Sequence, residues 1–412
     1  MKKTRLTRRD FLMTGAATGG GLMIAFALSG CEKERKTAVQ ASGNAGELPP
    51  ESDEGEFTPN AWLTINSDDT VIIRVGSSEM GQGTLTGIAM LIADELDADW
   101  SKLRAEHAPA DEAFTNPIIG RQHTGGSTAI RGFWPIARKA GATAREMLIQ
   151  AAAMQWDIDP ADCHTENGAV IHEACDHHDL SYGELAESAS QLTIPESVFL
   201  KEADDFVLIG KSIPRLDIQN KVNGRAVFGI DVDLPGMLTA TVARCPVLGG
   251  RVKSFDASKT LSLPGVKRVE AISSGIAVMA DHYWAAKQGR EELDIAWETA
   301  GKDTLDSTAI EVQFKAAVDK GLVERDDGDF KTSYDSAAKT LEAVYTAPYQ
   351  AHACMEPMNA TADVRDDRCD VYAPTQGQTS TQNTAMRITG LPREKVRVHT
   401  TFLGGGFGRR SE

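Results

Sequence analysis

The stretch VIIRVGSSEMGQGTLTGIAMLIADEL, residues 71 to 96, runs from a strand through a glycine-rich loop into a helix. Val71 to Val75 and Trp62 to Ile65, separated by the turn residues Asn66, Ser67, Asp68 and Asp69, predict a hairpin. From about Leu85 to Leu96 the apolar residues Ile88, Leu91 and Ile92 share one helical face. Between strand and helix lie Glu79, Met80, Gly81, Gln82 and Gly83. Glycines there let a ligand lie close to the backbone, and the helix start beyond them offers amides to an anion. With Gly87 the loop also spells GxGxxxG, which keeps a dinucleotide fold as a rival. Against that rival, Val71, Ile73 and Val75 alternate with Ile72 and Arg74, whereas the first strand of such a fold is usually apolar on both faces.

Two further loops have the same character. Thr124, Gly125, Gly126, Ser127 and Thr128 precede a helix expected over about Ser127 to Trp156, and fit either a phosphate site or a plain helix cap. Gly404, Gly405, Gly406, Phe407, Gly408, Arg409 and Arg410 follow a strand, and fit either a backbone laid against a bulky anionic ligand or a tight turn. After Pro195 short strands alternate with turns: Val227 to Asp231, Leu238 to Val242, Val266 to Ala271 and Gly275 to Ala280. Helices are expected near Asp281 to Arg290 and Ile310 to Lys320. Strands return at Leu341 to Tyr345, Asn359 to Arg365 and Cys369 to Tyr372, followed by a helix at Thr379 to Thr389 and a strand at Val396 to Thr400. The fold class is therefore α+β, a mixture of helix and strand throughout, without a fixed-period repeat.

The 412 residues are enough for two or three domains, and the net charge of -16 with no basic block in the body speaks against nucleic acid as a partner. The basic residues concentrate at the start, where Thr7, Arg8, Arg9, Asp10, Phe11 and Leu12 precede an uncharged stretch from Phe11 to Cys31. That order reads as a twin-arginine export signal over residues 1–31, and glycines dilute the stretch too far for a stable membrane span. It ends in Leu28, Ser29, Gly30, Cys31, a box that suits acylation of the cysteine or plain cleavage. Export to the periplasm, with a lipid anchor as one outcome, is the expected localisation. Residues 32–57 read as a disordered linker. None of the six cysteines forms a CxxC pair, so no iron-sulfur motif is present. Cys163, His164, His172, Cys175, His177 and His178 match no common zinc spacing and read as a surface turn, and no resident metal ligand is assigned.

Taken together, the MGQG loop (Met80 to Gly83) and the GGGFG loop resemble the molybdopterin-binding subunits of the xanthine dehydrogenase and aldehyde oxidase family, with the isoquinoline 1-oxidoreductase beta subunit as the branch most similar in pattern. The resemblance covers Trp62 to Arg410. It implies that Gly81, Gln82, Gly83, Gly125, Gly126, Ser127, Gly405, Gly406, Phe407, Gly408 and Arg409 bind the cofactor, molybdopterin cytosine dinucleotide. It also implies that Gln376 hydrogen-bonds an oxygen ligand of the metal. Gly224 to Asp231 resembles the opening of the family's hammerhead domain. The implied organisation is a molybdopterin-binding-type segment at 58–205, the hammerhead at 206–300, a connection at 301–340 and the start of a first molybdopterin-binding domain at 341–412. His352 to Pro357, Thr375 and Gln376 fit the strands before the GGGFG loop.

Two departures from the family pattern are visible. The MGQG loop precedes the hammerhead here but follows GGGFG in xanthine dehydrogenases, and Ser411 stands where purine hydroxylases carry a glutamate. The implied activity is oxidative hydroxylation of an N-heteroaromatic or aldehyde substrate with water as oxygen source. Electrons would pass to a separate small [2Fe-2S] subunit carrying the iron-sulfur clusters, and on to a periplasmic or membrane cytochrome. The family's general base is a glutamate near the end of a longer subunit, so residues 1 to 412 alone are expected to show no turnover. A non-catalytic lipid-anchored scaffold and a nicotinamide-dependent dehydrogenase built on the Gly81 loop stand as alternatives.

Overall fold

A computed structural model describes residues 22–25, 61–172, 179–299 and 301–411. Most of the expected export signal, the linker, and Cys175, His177 and His178 lie outside the described residues. The chain divides into two compact units, one running to Val232 and resuming at His352, the other Asp233–Ala351. Helix and strand are mixed in both, as the sequence led us to expect.

In the first unit, β1 (Leu22–Ala25), β2 (Ala61–Ile65), β3 (Val71–Val75) and β4 (Leu103–His107) form a four-stranded sheet in that order. The first three are antiparallel neighbours, while β3 and β4 run parallel, which requires a crossover. Helix α1 (Thr84–Leu96) supplies it. Register places Leu63 beside Ile73 and Ile65 beside Val71, and this apolar face is buried together with Leu85, Ile88 and Ile92. The long helix α2 (Ala129–Trp156) packs on α1 through alanines and through Gly141, where a Cβ would lie 2.3 Å from the carbonyl oxygen of Ile92. The end of α1 anchors the chain that follows. Asp94 accepts the amides of Val207, Leu208 and Ile209 at 3.2, 3.0 and 2.7 Å, and Glu95 pairs with Arg138 at 2.7 Å. A small sheet of β5 (Cys163–Glu166), β6 (Ala169–His172) and β7 (Asp179–Ser181) leads into α3 (Tyr182–Ser190), which a Ser181–Glu184 capping box opens.

The second unit contains β8 (Thr239–Ala243), β9 (Arg251–Asp256), β10 (Val266–Ile272), β11 (Gly275–Ala280) and β12 (Asp294–Glu298). An antiparallel sheet of order β10-β11-β8 buries Ile276, Val278 and Ala280, with Ala285 and Ala286 of α4 (Tyr283–Glu291) also buried, and β9 pairs with β12. Helix α5 (Ser307–Ala317) follows. The strand expected at Leu341 to Tyr345 does not form: its apolar alternation meets no strand partner among the described residues, and Leu341, Val344 and Tyr345 are exposed.

Back in the first unit, β13 (Thr361–Val364), β14 (Cys369–Ala373) and β15 (Val396–Thr400) form a second sheet in that order, with β14 and β15 parallel across α6 (Gln378–Thr389). Two other expected strands are corrected. Val227 to Asp231 makes only a single bridge, Phe228 to Phe402, before a 3₁₀ turn at Gly229–Asp231. The Asp231 carboxylate accepts the Phe228 amide at 3.0 Å and curls the chain, and at Gly229 a Cβ would lie 2.4 Å from both Asn359 and Pro374. His352 to Pro357 is irregular because Ala353 takes φ +47°.

Candidate functional site

The carboxyl ends of four strands, in two parallel pairs, carry the site. β3 leads into Gly76 to Gly83, β4 into the segment ending at Thr128, β14 into Pro374 to Gly377, and β15 into Thr401 to Arg410. Ligands of open α/β sheets bind at such ends, because the loops there converge.

Glu79 organises the first loop. Its buried carboxylate accepts the amides of Gly81, Gly83 and Leu85 at 2.8, 3.1 and 3.0 Å, which caps α1 from within the loop. The anion expected at this helix start is thus the chain's own side chain. The nicotinamide alternative fails for the same reason, since the amides that would receive a pyrophosphate are taken. Arg215 pairs with Glu79 at 3.0 Å and donates to the Gly81 carbonyl at 2.9 Å, while Asp217 grips its guanidinium at 2.9 and 2.7 Å. Burial disfavours the Asp217 anion, but hydrogen bonds from Arg215 and Lys221 outweigh it and bring its pKa down to about 2. Gln82 is exposed, its amide folded onto its own loop between the Met80 amide and the Ser78 carbonyl.

His107, at the end of β4, ties this loop to β15. Its Nε2 accepts the Glu79 amide at 3.0 Å, so the ring proton sits on Nδ1 and is donated to the Thr400 carbonyl at 3.1 Å. Burial holds the imidazole neutral, with its pKa lowered to about 4.

The second loop behaves differently. Thr128 is the N-cap of α2, yet its side chain caps no helix amide; its hydroxyl donates to the Gly125 carbonyl at 2.8 Å. A plain cap therefore does not describe this loop, and the first-turn amides of α2 are left uncapped by any side chain among the described residues. Gly126 and Ser127 both take left-handed backbone conformations and are exposed, with Gly125 partly so. Arg131 fixes them from within the helix by donating to the Ser127 carbonyl at 3.1 Å and the Gly126 carbonyl at 3.3 Å.

In the third loop, Gly405, Phe407 and Gly408 have φ of +97°, +52° and +90°. Arg410 is buried beneath it and donates to the carbonyls of Gly405 and Glu356 and to the Glu356 carboxylate, at 2.8, 2.7 and 2.9 Å. Phe407, Gly408 and Arg409 are exposed.

Gln376 joins the three loops. Its Nε2 donates to the Thr124 carbonyl at 2.9 Å and its Oε1 accepts the Gly408 amide at 3.1 Å, while the Thr124 hydroxyl accepts the Ser78 amide at 2.8 Å. Gly406 marks the closest approach: a Cβ there would lie 2.4 Å from the Met80 sulfur and 2.8 Å from Gln376 Oε1. By contrast, at Gly81, Gly83 and Gly408 a Cβ would meet nothing within 4 Å. The structure thus packs the loops against each other on one side and leaves three glycines open on the other. The three glycine-rich loops and Gln376, assigned to the cofactor from the sequence, fall in this one neighbourhood. Arg215, Asp217, Lys221 and His107 were missed; Pro214 to Asp217 carries no glycine signal, and His107 looks like any strand-end histidine.

Among the described residues no cluster of His, Cys, Asp and Glu could hold a metal ion directly, and no helix is long and apolar enough to cross a membrane. Models of the molybdopterin cofactor-binding domain match residues 15–231 and 314–412. The chain is 30% identical to the isoquinoline 1-oxidoreductase subunit beta of Brevundimonas diminuta, over 99% of this chain and 56% of that protein. It is 29% identical to a membrane-bound aldehyde dehydrogenase [pyrroloquinoline-quinone] of Gluconacetobacter polyoxogenes, over 99% of this chain and 53% of that protein. The chain therefore spans about half the length of the curated relatives it matches. Among solved structures, quinoline 2-oxidoreductase from Pseudomonas putida 86 matches at TM-score 0.39 and 18% identity, covering 49% of this chain and 31% of that one. With one domain model matched over more than half of its length, the chain belongs to the family of molybdopterin cofactor-binding subunits of the xanthine dehydrogenase and aldehyde oxidase type.

Proposed function

We propose that the chain is the cofactor-binding part of a molybdenum hydroxylase acting on an N-heteroaromatic or aldehyde substrate. The observation that carries this reading is the joined set of loops around Gln376, closed inward at Gly406 and open outward at Gly81, Gly83 and Gly408. Glycines that face open space with left-handed backbones fit a group laid flat against main chain. When bound, the molybdenum cofactor supplies two-electron oxidation with water as oxygen source.

In this reading Gly81, Gln82 and Gly83 would meet the pterin, and Gly125, Gly126 and Ser127, beside the uncapped first-turn amides of α2, would meet an anionic group of molybdopterin cytosine dinucleotide. Gly405 to Arg409 lie against the molybdenum end. Gln376 keeps one Nε2 hydrogen on Thr124 and has a second that would be free to bind the cofactor. Neither Glu79 nor Glu356 serves as general base, because each carboxylate is buried and holds backbone amides and an arginine. Electrons leave to a separate [2Fe-2S] subunit and a periplasmic or membrane cytochrome. Arg8 and Arg9 address the protein to the twin-arginine route, with Cys31 as the site of a lipid anchor, and cleavage before Cys31 would leave the sheet as β2, β3 and β4.

Metal and pterin analysis of the intact complex tests the reading, and is expected to find both. A complex purified from cells supplied with molybdate that holds neither would overturn it. Changing Arg8 and Arg9 to lysine should trap the precursor in the cytoplasm, since ammonium groups do not replace paired guanidinium groups.

A further inference from the structure

We infer that Arg215 is the positioning residue of the Glu79–Gly83 loop, fixing which side of that backbone is presented to the cofactor. The inference deepens the proposed function and rests on it only for the identity of the ligand.

Gly81 has no side chain to anchor it and a φ of +108°, so its orientation depends on its two peptide groups. Both are held by one assembly. The Gly81 amide donates to Glu79 Oε1 at 2.8 Å, and the Gly81 carbonyl accepts from Arg215 Nη1 at 2.9 Å. Arg215 Nη2 then closes the ring by donating to the same Glu79 oxygen at 3.0 Å. The guanidinium thus controls the carbonyl directly and the amide through Glu79, whose carboxylate also holds Gly83 and Leu85.

The fork is itself oriented. Asp217 receives Nε at 2.9 Å and Nη2 at 2.7 Å, so the guanidinium plane is set before it meets the loop. Lys221 contacts the same aspartate at 2.5 Å and stands 4.0 Å from Glu79. It balances charge without touching Gly81. The Leu216 amide donates to Thr86 on α1 at 3.1 Å and keeps the segment in place. The Gly81 amide and carbonyl and the Gly83 and Leu85 amides are thereby engaged, and Gly81 and Gln82 remain exposed to a ligand. Lysine at this position would keep the charge but lose the planar fork that reaches Asp217, Glu79 and Gly81 together.

Residue-resolved hydrogen exchange of the full chain tests this, together with molybdenum and pterin content. In the unaltered protein the Gly81 and Gly83 amides should be protected although their loop is exposed; exchange at the rate of an open peptide overturns the inference. In Arg215→Lys their exchange should quicken by about tenfold or more, with α2 unchanged, because only the local clamp opens. Cofactor content should fall in the same variant. In Arg215→Ala, added guanidinium should restore protection and methylammonium should not. Unchanged exchange at Gly81 and Gly83 in Arg215→Lys refutes the clamp even if the wild-type complex holds molybdenum. Amides loosened in Arg215→Lys but protected in a wild-type complex devoid of molybdenum and pterin uphold the clamp and refute the cofactor reading. Should Arg215→Lys not fold, the wild-type exchange measurement decides.

Discussion

Replacing Glu356 by glutamine keeps the shape of the side chain and removes only its charge and one acceptor. In the native protein the carboxylate accepts four hydrogen bonds: Gly404 N at 2.8 Å, Arg410 Nη2 at 2.9 Å, Ile230 N at 3.1 Å and Asn359 Nδ2 at 2.9 Å. Two donors meet each oxygen. Whichever way the amide turns, its NH₂ faces two donors, so one pair of bonds is lost. Arg410, 2% exposed, then keeps a buried positive charge with only carbonyl partners. Breaking a buried ion pair from one side costs about 3–5 kcal/mol, and the remaining carbonyl acceptors favour the lower end, about 3 kcal/mol. At roughly 2–4 °C per kcal/mol for a unit of this size, the melting temperature should fall by roughly 6–12 °C. Urea titration and thermal melting of Glu356→Gln beside the wild type measure the change. A variant with wild-type stability whose intact complex loses the turnover of the wild-type complex would refute the saturation argument and return Glu356 to consideration as a base.

Four further outcomes follow from the same geometry. Gly406→Ala should cost about 1–3 kcal/mol and loosen the junction of the first and third loops, because Met80 and Gln376 must both yield; an unchanged urea midpoint would count against the packing described. Gly141→Ala should destabilise by more than about 2 kcal/mol, since a Cβ meets the rigid carbonyl of Ile92 at 2.3 Å, and a crystal structure of a stable variant with unshifted helices would contradict this. His107, with its pKa lowered from 6.5 to about 4, should cost nothing above pH 6.5, destabilise the fold progressively as pH falls from 6.5 to 4, and reach its full cost below 4, at most about 3 kcal/mol. Asp217 has the opposite sign: lowered from 3.8 to about 2, it contributes stability above pH 4 that is lost as pH falls through 2. Urea midpoints from pH 7.5 to 4 should flatten in His107→Asn, and an identical slope would remove the histidine from this account.

Much of the site was legible because glycine announces itself. The loops at Gly81, Gly125 and Gly405 stood out by composition, and Gln376 by its place after Pro374 within a resembling family. β3 and β15 were equally plain, being rich in β-branched residues, and β11 showed as an apolar run after the turn residues Ser273, Ser274 and Gly275. β4 was not: Leu103, Arg104, Ala105, Glu106 and His107 are half polar, and the strand is fixed by its parallel pairing with β3 across α1. β9 and β12 pair only with each other and bury no residue fully, so the alternation of β12 separates only exposed from half-buried positions. Leu341 to Tyr345 shows the reverse error, since strand propensity without a partner makes no strand.

The acid in the first loop is where local reading and tertiary structure part most clearly. A glycine-rich turn before a helix suggests an anion held from outside, and composition alone cannot separate that from an anion supplied within the loop. Glu79 supplies it, but only because Arg215 and Lys221 arrive to offset a buried carboxylate that would otherwise be costly. Those cations come from 136 residues further along the chain in the case of Arg215, delivered by a segment that Asp94 pins through three amides. The same arrangement explains why the second loop differs. There Thr128 turns its hydroxyl to Gly125 and, among the described residues, no acid side chain accepts the first-turn amides of α2, which keep their partial positive charge. Two glycine-rich loops thus differ in structure: the first spends its helix start on its own rigidity, while the second leaves its helix start without a side-chain cap, and in the proposed function the first would offer glycine backbone and the second would receive negative charge.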